Sequence, residues 1–91
     1  MKTTDLSFAE ALEYIMRGKR VGAKFLPGNI YIQRNDPDMN AMNTEPYLIM
    51  VTMTDKGDKG ELLVAPKVLK CEPWEPGRRS IFAKDWYVSN Y

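Results

Sequence analysis

The chain has 91 residues, enough for one domain, and residues 1–91 read as a single unit. A balance of 13 Lys and Arg against 12 Asp and Glu leaves a net charge of +1. That argues against a protein whose affinity rests mainly on neutralising a nucleic-acid backbone, yet leaves room for a small anionic ligand that needs only a few local cations.

The clearest local signal lies at residues 7–17. Ser7 is placed to cap a helix, and Glu10 three residues later completes a capping box by reaching back to the Ser7 N–H. Leu6 and Ala11 form a candidate hydrophobic staple across that turn. Phe8, Ala11, Leu12, Ile15 and Met16 recur at helical spacing and predict one apolar stripe facing a core. Gly18 follows as the left-handed residue that ends the helix, with Arg17, Lys19 and Arg20 beside the negative end of its dipole. Two short strands are predicted next, Val21–Phe25 and Ile30–Arg34, joined by Pro27-Gly28 in a type II turn. Residues 35–46, NDPDMNAMNTEP, read as an irregular loop, longer than most connections.

Tyr47–Thr54 is apolar on both alternating faces for most of its length, which predicts a central strand or one with a partner on its second face. DKGDKG at 55–60 is a turn, and Glu61–Ala65 is the return strand of a hairpin. Residues 66–77 carry Pro66, Pro73 and Pro76 and are extended rather than helical. Arg78–Lys84 has the length of one or two helical turns, and Trp86–Ser89 is a closing strand. The fold class expected is α+β, an N-terminal amphipathic helix packed on a small, mainly antiparallel β-sheet. A chain this short buries only about 60–65% of its unfolded surface, so the two-faced strand Tyr47–Met53 predicts a homo-oligomer, a tetramer built from dimers or a dimer.

Several chemistries are missing. The chain has no histidine, the commonest general base and metal ligand, and its one cysteine, Cys71, builds neither a Cys–His nucleophile nor a disulfide. Neither GxxxxGK[ST] nor GxGxxG occurs, and DKGDKG lacks the ligand spacing of a calcium loop. The expectation is a binding protein rather than an enzyme, with no cofactor and no metal. No apolar run approaches the ~20 residues that span a bilayer, and MKTTDLSFAE has no hydrophobic signal region. A cytoplasmic protein without membrane or nucleic-acid partners is therefore expected.

Aromatic residues beside charges remain. Trp74 and Trp86 flank the run W-E-P-G-R-R-S-I-F-A-K-D-W, in which flat rings suit stacking and the forks of Arg78 and Arg79 suit phosphates. The competing assignment puts both tryptophans in the core and both arginines on a solvated face. Tyr31 and Tyr47, each inside a strand, fit sheet packing, and the six methionines fit gaps in a core or interface.

The residues also carry a resemblance. Phe8, Glu10, Ala11, Leu12, Gly18, Lys19 and Val21, then Tyr31-Ile32, then Tyr47, Leu48 and Met50, resemble a small phage and bacterial family, the second Thoeris anti-defence family. The closing pattern of Trp74, Pro76, Ala83, Asp85, Trp86 and Val88 is its most specific part. Two departures stand out: Phe25-Leu26-Pro27 occurs where relatives place a tryptophan, and Ser80 replaces a common acid. Both bear on which ligand is bound more than on the fold.

The resemblance implies a sponge in the bacterial host cytoplasm. Such a protein binds a cyclic ADP-ribose-type, or related cyclic nucleotide, immune signal without cleaving it, from pockets shared between subunits of a homo-oligomer. The alternative is a structural or protein-binding phage accessory domain. On the sponge reading, Trp74, Phe25 and Tyr31 are the stacking candidates and Arg78 and Arg79 the phosphate candidates. Asp85 either accepts from a ribose hydroxyl or adenine amino group or braces the turn before the last strand. Trp74, between Pro73 and Pro76, is expected on a loop, and Trp86, alternating with Val88, in the core.

Overall fold

The computed structural model describes residues 2–36 and 47–91. The elements are α1 (Phe8–Met16), β1 (Val21–Ala23), β2 (Ile30–Asn35), β3 (Tyr47–Lys56), β4 (Leu62–Pro73), α2 (Arg78–Phe82) and β5 (Trp86–Val88). The five strands form one antiparallel sheet in the order β4-β3-β2-β1-β5, with α1 on one face, so the chain is α+β as expected.

The capping box is present: the Glu10 N–H donates to Ser7 Oγ at 3.2 Å, and the Ser7 N–H donates to Glu10 Oε1 at 3.0 Å. That backbone bond holds the Glu10 carboxyl below its usual range. Its contribution is therefore in place above the ordinary glutamate pKa and fades as pH falls through the lowered value. Gly18, at φ +84°, ends the helix in the conformation that glycine adopts at least cost. Ala11 and Ile15 are buried and Phe8 and Leu12 half-buried, whereas Met16 is exposed at the stripe's end.

β1 stops at Ala23 rather than reaching Phe25, because the chain turns at once: the Leu26 N–H donates to the Ala23 carbonyl at 2.9 Å. A second turn follows, in which the Ile30 N–H donates to the Pro27 carbonyl at 3.0 Å. Pro27 thus opens a turn instead of occupying its first central position, and Gly28 does not take a positive φ. The expected type II turn is not formed, since two successive tight turns already reverse the chain. Of the expected 35–46 loop, Asn35 ends β2, Asp36 follows it, and the rest lies outside the described residues.

β3 is central, between β2 and β4. β4 is longer than the expected Glu61–Ala65 and runs to Pro73 as an edge strand that shifts register twice against β3. Edge position and bulges are what allow Pro66 and Pro73 inside a strand. Sheet parity separates two clusters. Leu6, Ala11, Ile15, Val21, Ala23, Ile32 and Trp86 pack between sheet and α1, while Tyr31, Ile49, Val51 and Met53 form the other. Those four are already buried within one chain, so the second face of β3 is not the bare surface that its apolar sequence suggested. Where β1 meets β5, the Tyr87 ring lies over Gly22, and a Cβ there would stand 2.7 Å from it.

Trp86 has no exposed surface, and its Nε1–H donates to the Ser80 carbonyl at 3.0 Å. Replacing a buried aromatic by alanine costs about 3–5 kcal/mol, a large part of a small domain's stability. Trp86→Ala is expected to unfold the domain or bring its urea midpoint close to zero, read by far-UV circular dichroism.

Candidate functional site

Three of the six sequence candidates meet in one place. The turn after β1 supplies Lys24 and Phe25, α2 supplies Arg79 and Phe82, and the link to β5 supplies Ala83 and Asp85; together they line an open cavity of about 450 Å³. That volume lies within the range of small-molecule sites, roughly 300–1,000 Å³.

Local structure explains the convergence. The Phe25 ring meets Trp86 edge-on at 5.5 Å, which pins the turn after β1 to the core. α2 ends where the Ala83 N–H donates to the Arg79 carbonyl at 3.0 Å, and the Trp86 indole ties Ser80 back beneath it. Arg79 is thereby held over Phe25, its guanidinium carbon 5.2 Å from the ring centroid. Phe82 projects largely into solvent on the same rim.

Asp85 is the informative member. Its Oδ1 is buried and has no hydrogen-bond partner among the described residues. A buried acceptor left unpaired costs about 1–3 kcal/mol, so a cavity-lining residue that carries one is a candidate to turn toward a donor from outside. The lining thus combines two cations, one carboxylate and two aromatic rings. A ligand that carries anionic oxygens, a flat ring and a hydroxyl or amino donor matches each of these groups.

The other three candidates lie elsewhere. Trp74 follows β4, its N–H donating to the Leu48 carbonyl at 3.0 Å, and its half-buried ring packs against Phe8 and Trp86 with centroids 6.4 and 6.1 Å away. Tyr31 is only 3% exposed and belongs to the other cluster; Arg20 lies over its ring at 4.8 Å and Tyr91 stacks on it at 6.3 Å. Arg78 is exposed at the first position of α2 and does not line the cavity. Lys24 and Phe82 were not among the sequence candidates. A charged residue beside an aromatic, as in Lys24-Phe25, was the available signal, but it becomes a site only when α2 closes over it.

Residues 6–89 match the Thoeris anti-defense 2-like domain, which accounts for nearly the whole chain. The chain belongs to that family. A comparison with curated proteins finds no match. Within the family domain, the cavity draws on both the opening segment, through Lys24 and Phe25, and the closing motif, through Ala83 and Asp85. No helix among the described residues is long and apolar enough to cross a membrane.

The placement of Trp74 sets a graded expectation. Each aromatic pair is worth about 0.5–1.5 kcal/mol beyond area burial, and Trp74 makes two such contacts from a half-exposed position. Trp74→Ala is expected to lower the urea midpoint measurably, but less than Trp86→Ala does.

Proposed function

We propose that this protein sequesters a cyclic ADP-ribose-type, or related cyclic nucleotide, signal of Thoeris defence and does not cleave it. The observation that carries the reading is Asp85, whose buried Oδ1 has no partner among the described residues, in a cavity lining that also holds Lys24, Arg79, Phe25 and Phe82. In this reading the guanidinium of Arg79 and the ammonium of Lys24 take the pyrophosphate oxygens. The Phe25 and Phe82 rings flank the base, and Asp85 accepts from a ribose hydroxyl or an amino group. Family membership supports the anti-defence role.

Capture without cleavage is supported by the residue inventory. The chain has no histidine to act as general base near neutrality, and the cavity offers one carboxylate rather than an acid–base pair. The working form is proposed to be an assembly of identical copies in the cytoplasm of the infected cell.

The test is capture and release. Protein is incubated with cyclic ADP-ribose-type signal, separated from free ligand and denatured, and the released molecule is identified by mass spectrometry. Intact signal is the expected result; a hydrolysed product contradicts a sponge, and an empty eluate contradicts binding. Hydrogen bonds to charged groups contribute about 1.5–3 kcal/mol, so Arg79→Ala or Asp85→Asn is expected to weaken capture roughly tenfold to a hundredfold. Arg78→Ala, outside the cavity, is expected to change affinity less than about threefold by calorimetry, since an exposed charge without a ligand contact contributes little.

A further inference from the structure

The parts of the chain that line the cavity are held very differently. Phe25 is tied to the core by the edge of the Trp86 ring. α2 is five residues long, and its only buried residue is a serine, Ser80. Its two apolar residues, Ile81 and Phe82, are 48% and 77% exposed. A surface helix is normally fixed by an apolar stripe packed on the core, and one shorter than about 12 residues does not persist alone. In α2 that stripe is reversed. Its backbone runs beside that of α1 and of no strand. Gly77 at its start offers no side chain to cap the first N–H groups. What ties α2 down is the bond from the Trp86 indole N–H to the Ser80 carbonyl at 3.0 Å, together with Arg79 over the Phe25 ring.

Helical spacing decides what α2 turns toward the cavity. Arg79, Phe82 and Ala83 stand at i, i+3 and i+4, share one face, and all line the cavity. Ile81 lies on the opposite face and does not. The chain is extended at both ends of the helix, with Gly77 at φ −90°, ψ −176° and Ala83 at φ −67°, ψ 146°. Rotation about φ of Gly77 and ψ of Ala83 spares the bonds from Ile81 N–H to Gly77 and from Ala83 N–H to Arg79. Gly77 also has room to move, since a Cβ there would meet nothing within 4 Å.

A second observation points the same way. Asp85, two positions past Ala83, keeps Oδ1 buried without a partner among the described residues. Buried acceptors are nearly always paired, so this corner stands in an arrangement that leaves one of its own groups unsatisfied. We infer that α2 is a flap: it turns about the Ser80–Trp86 bond on joints at Gly77 and Ala83 and lays Phe82 over a bound ligand. The exposed ring is then the covering surface, and the ligand supplies the apolar contact that the core does not. Closure of this kind acts on release more than on entry.

This deepens the proposed sequestration and rests on it, and hydrogen exchange of backbone amides tells the two apart. In ligand-free protein, the N–H groups of Ile81 and Ala83 are expected to exchange at least about a hundredfold faster than those of β3. Low urea is expected to leave that rate unchanged, because α2 opens without the rest of the domain. Cyclic ADP-ribose, as the probe, is expected to slow both amides at least about tenfold. Retention of the probe with α2 exchanging as fast as before leaves capture intact and overturns the flap. So does an α2 that exchanges only with global unfolding. Protein that retains no probe removes the sponge and the flap with it.

Release kinetics give a second readout. Phe82→Ala, at an exposed position, is expected to keep the far-UV spectrum and the association rate while releasing the probe about tenfold faster. Phe82→Tyr, which keeps the ring, is expected to restore slow release. Ile81→Ala, on the opposite face, is expected to release as the wild type does. Equal losses from Phe82→Ala and Ile81→Ala, or a Phe82→Ala that slows association and leaves release unchanged, overturn the inference.

Discussion

The burial of one indole organises this fold. Trp86 belongs to the shortest class of strand in the sheet, yet its ring meets Phe8, Phe25 and Trp74, each from a different part of the chain. Its main chain bonds to Leu6, and its one polar side-chain atom finds the Ser80 carbonyl. Each of these contacts fixes a neighbour that would otherwise be a loose end: the start of α1, the turn after β1, the exit from β4 and the short helix α2. A 91-residue chain has little core to spare, so a single large aromatic that serves four segments substitutes for the second layer that larger domains build.

The cavity is a by-product of that arrangement. Phe25 faces Trp86 with its edge, and Arg79 lies over the same ring, so the cavity wall is anchored to the core. Ser80, beside Arg79, is buried under the indole. A carboxylate in that position would have to be desolvated or paired, and pairing would draw on the arginine that the cavity uses.

What could be read from residue order and what could not divide along a physical line. α1 was legible because its signals are local: a cap, its reciprocal glutamate, a stripe at helical spacing and a terminal glycine all fall within a dozen positions. β5 was legible for a similar reason, through the alternation of Trp86 and Val88. β4 was not, because its continuity past Pro66 depends on bulges against β3 and on lying at an edge, which are properties of the pairing. The site divided in the same way. Phe25, Arg79 and Asp85 were named for their chemistry, but only the sheet order brings β1 beside β5 and so closes the distance between them. Tyr31 shows the converse: a neighbour of core residue Ile32, it points to the opposite face by the two-residue period of a strand, and which face that is depends on the register.

The bonds between Leu6 and Trp86 have a consequence for the order in which the protein comes into being. These residues are 80 positions apart and lie on adjacent lines of hydrogen bonding. During synthesis α1 precedes every strand that it packs against, and β5 follows the other four. The hairpin of β3 and β4 can form early from contacts near in sequence, while the N-terminal half waits with its apolar stripe uncovered. Closure of the core is thus a late, long-range event, and the nascent chain carries its greatest exposure of apolar surface until Trp86 has left the ribosome.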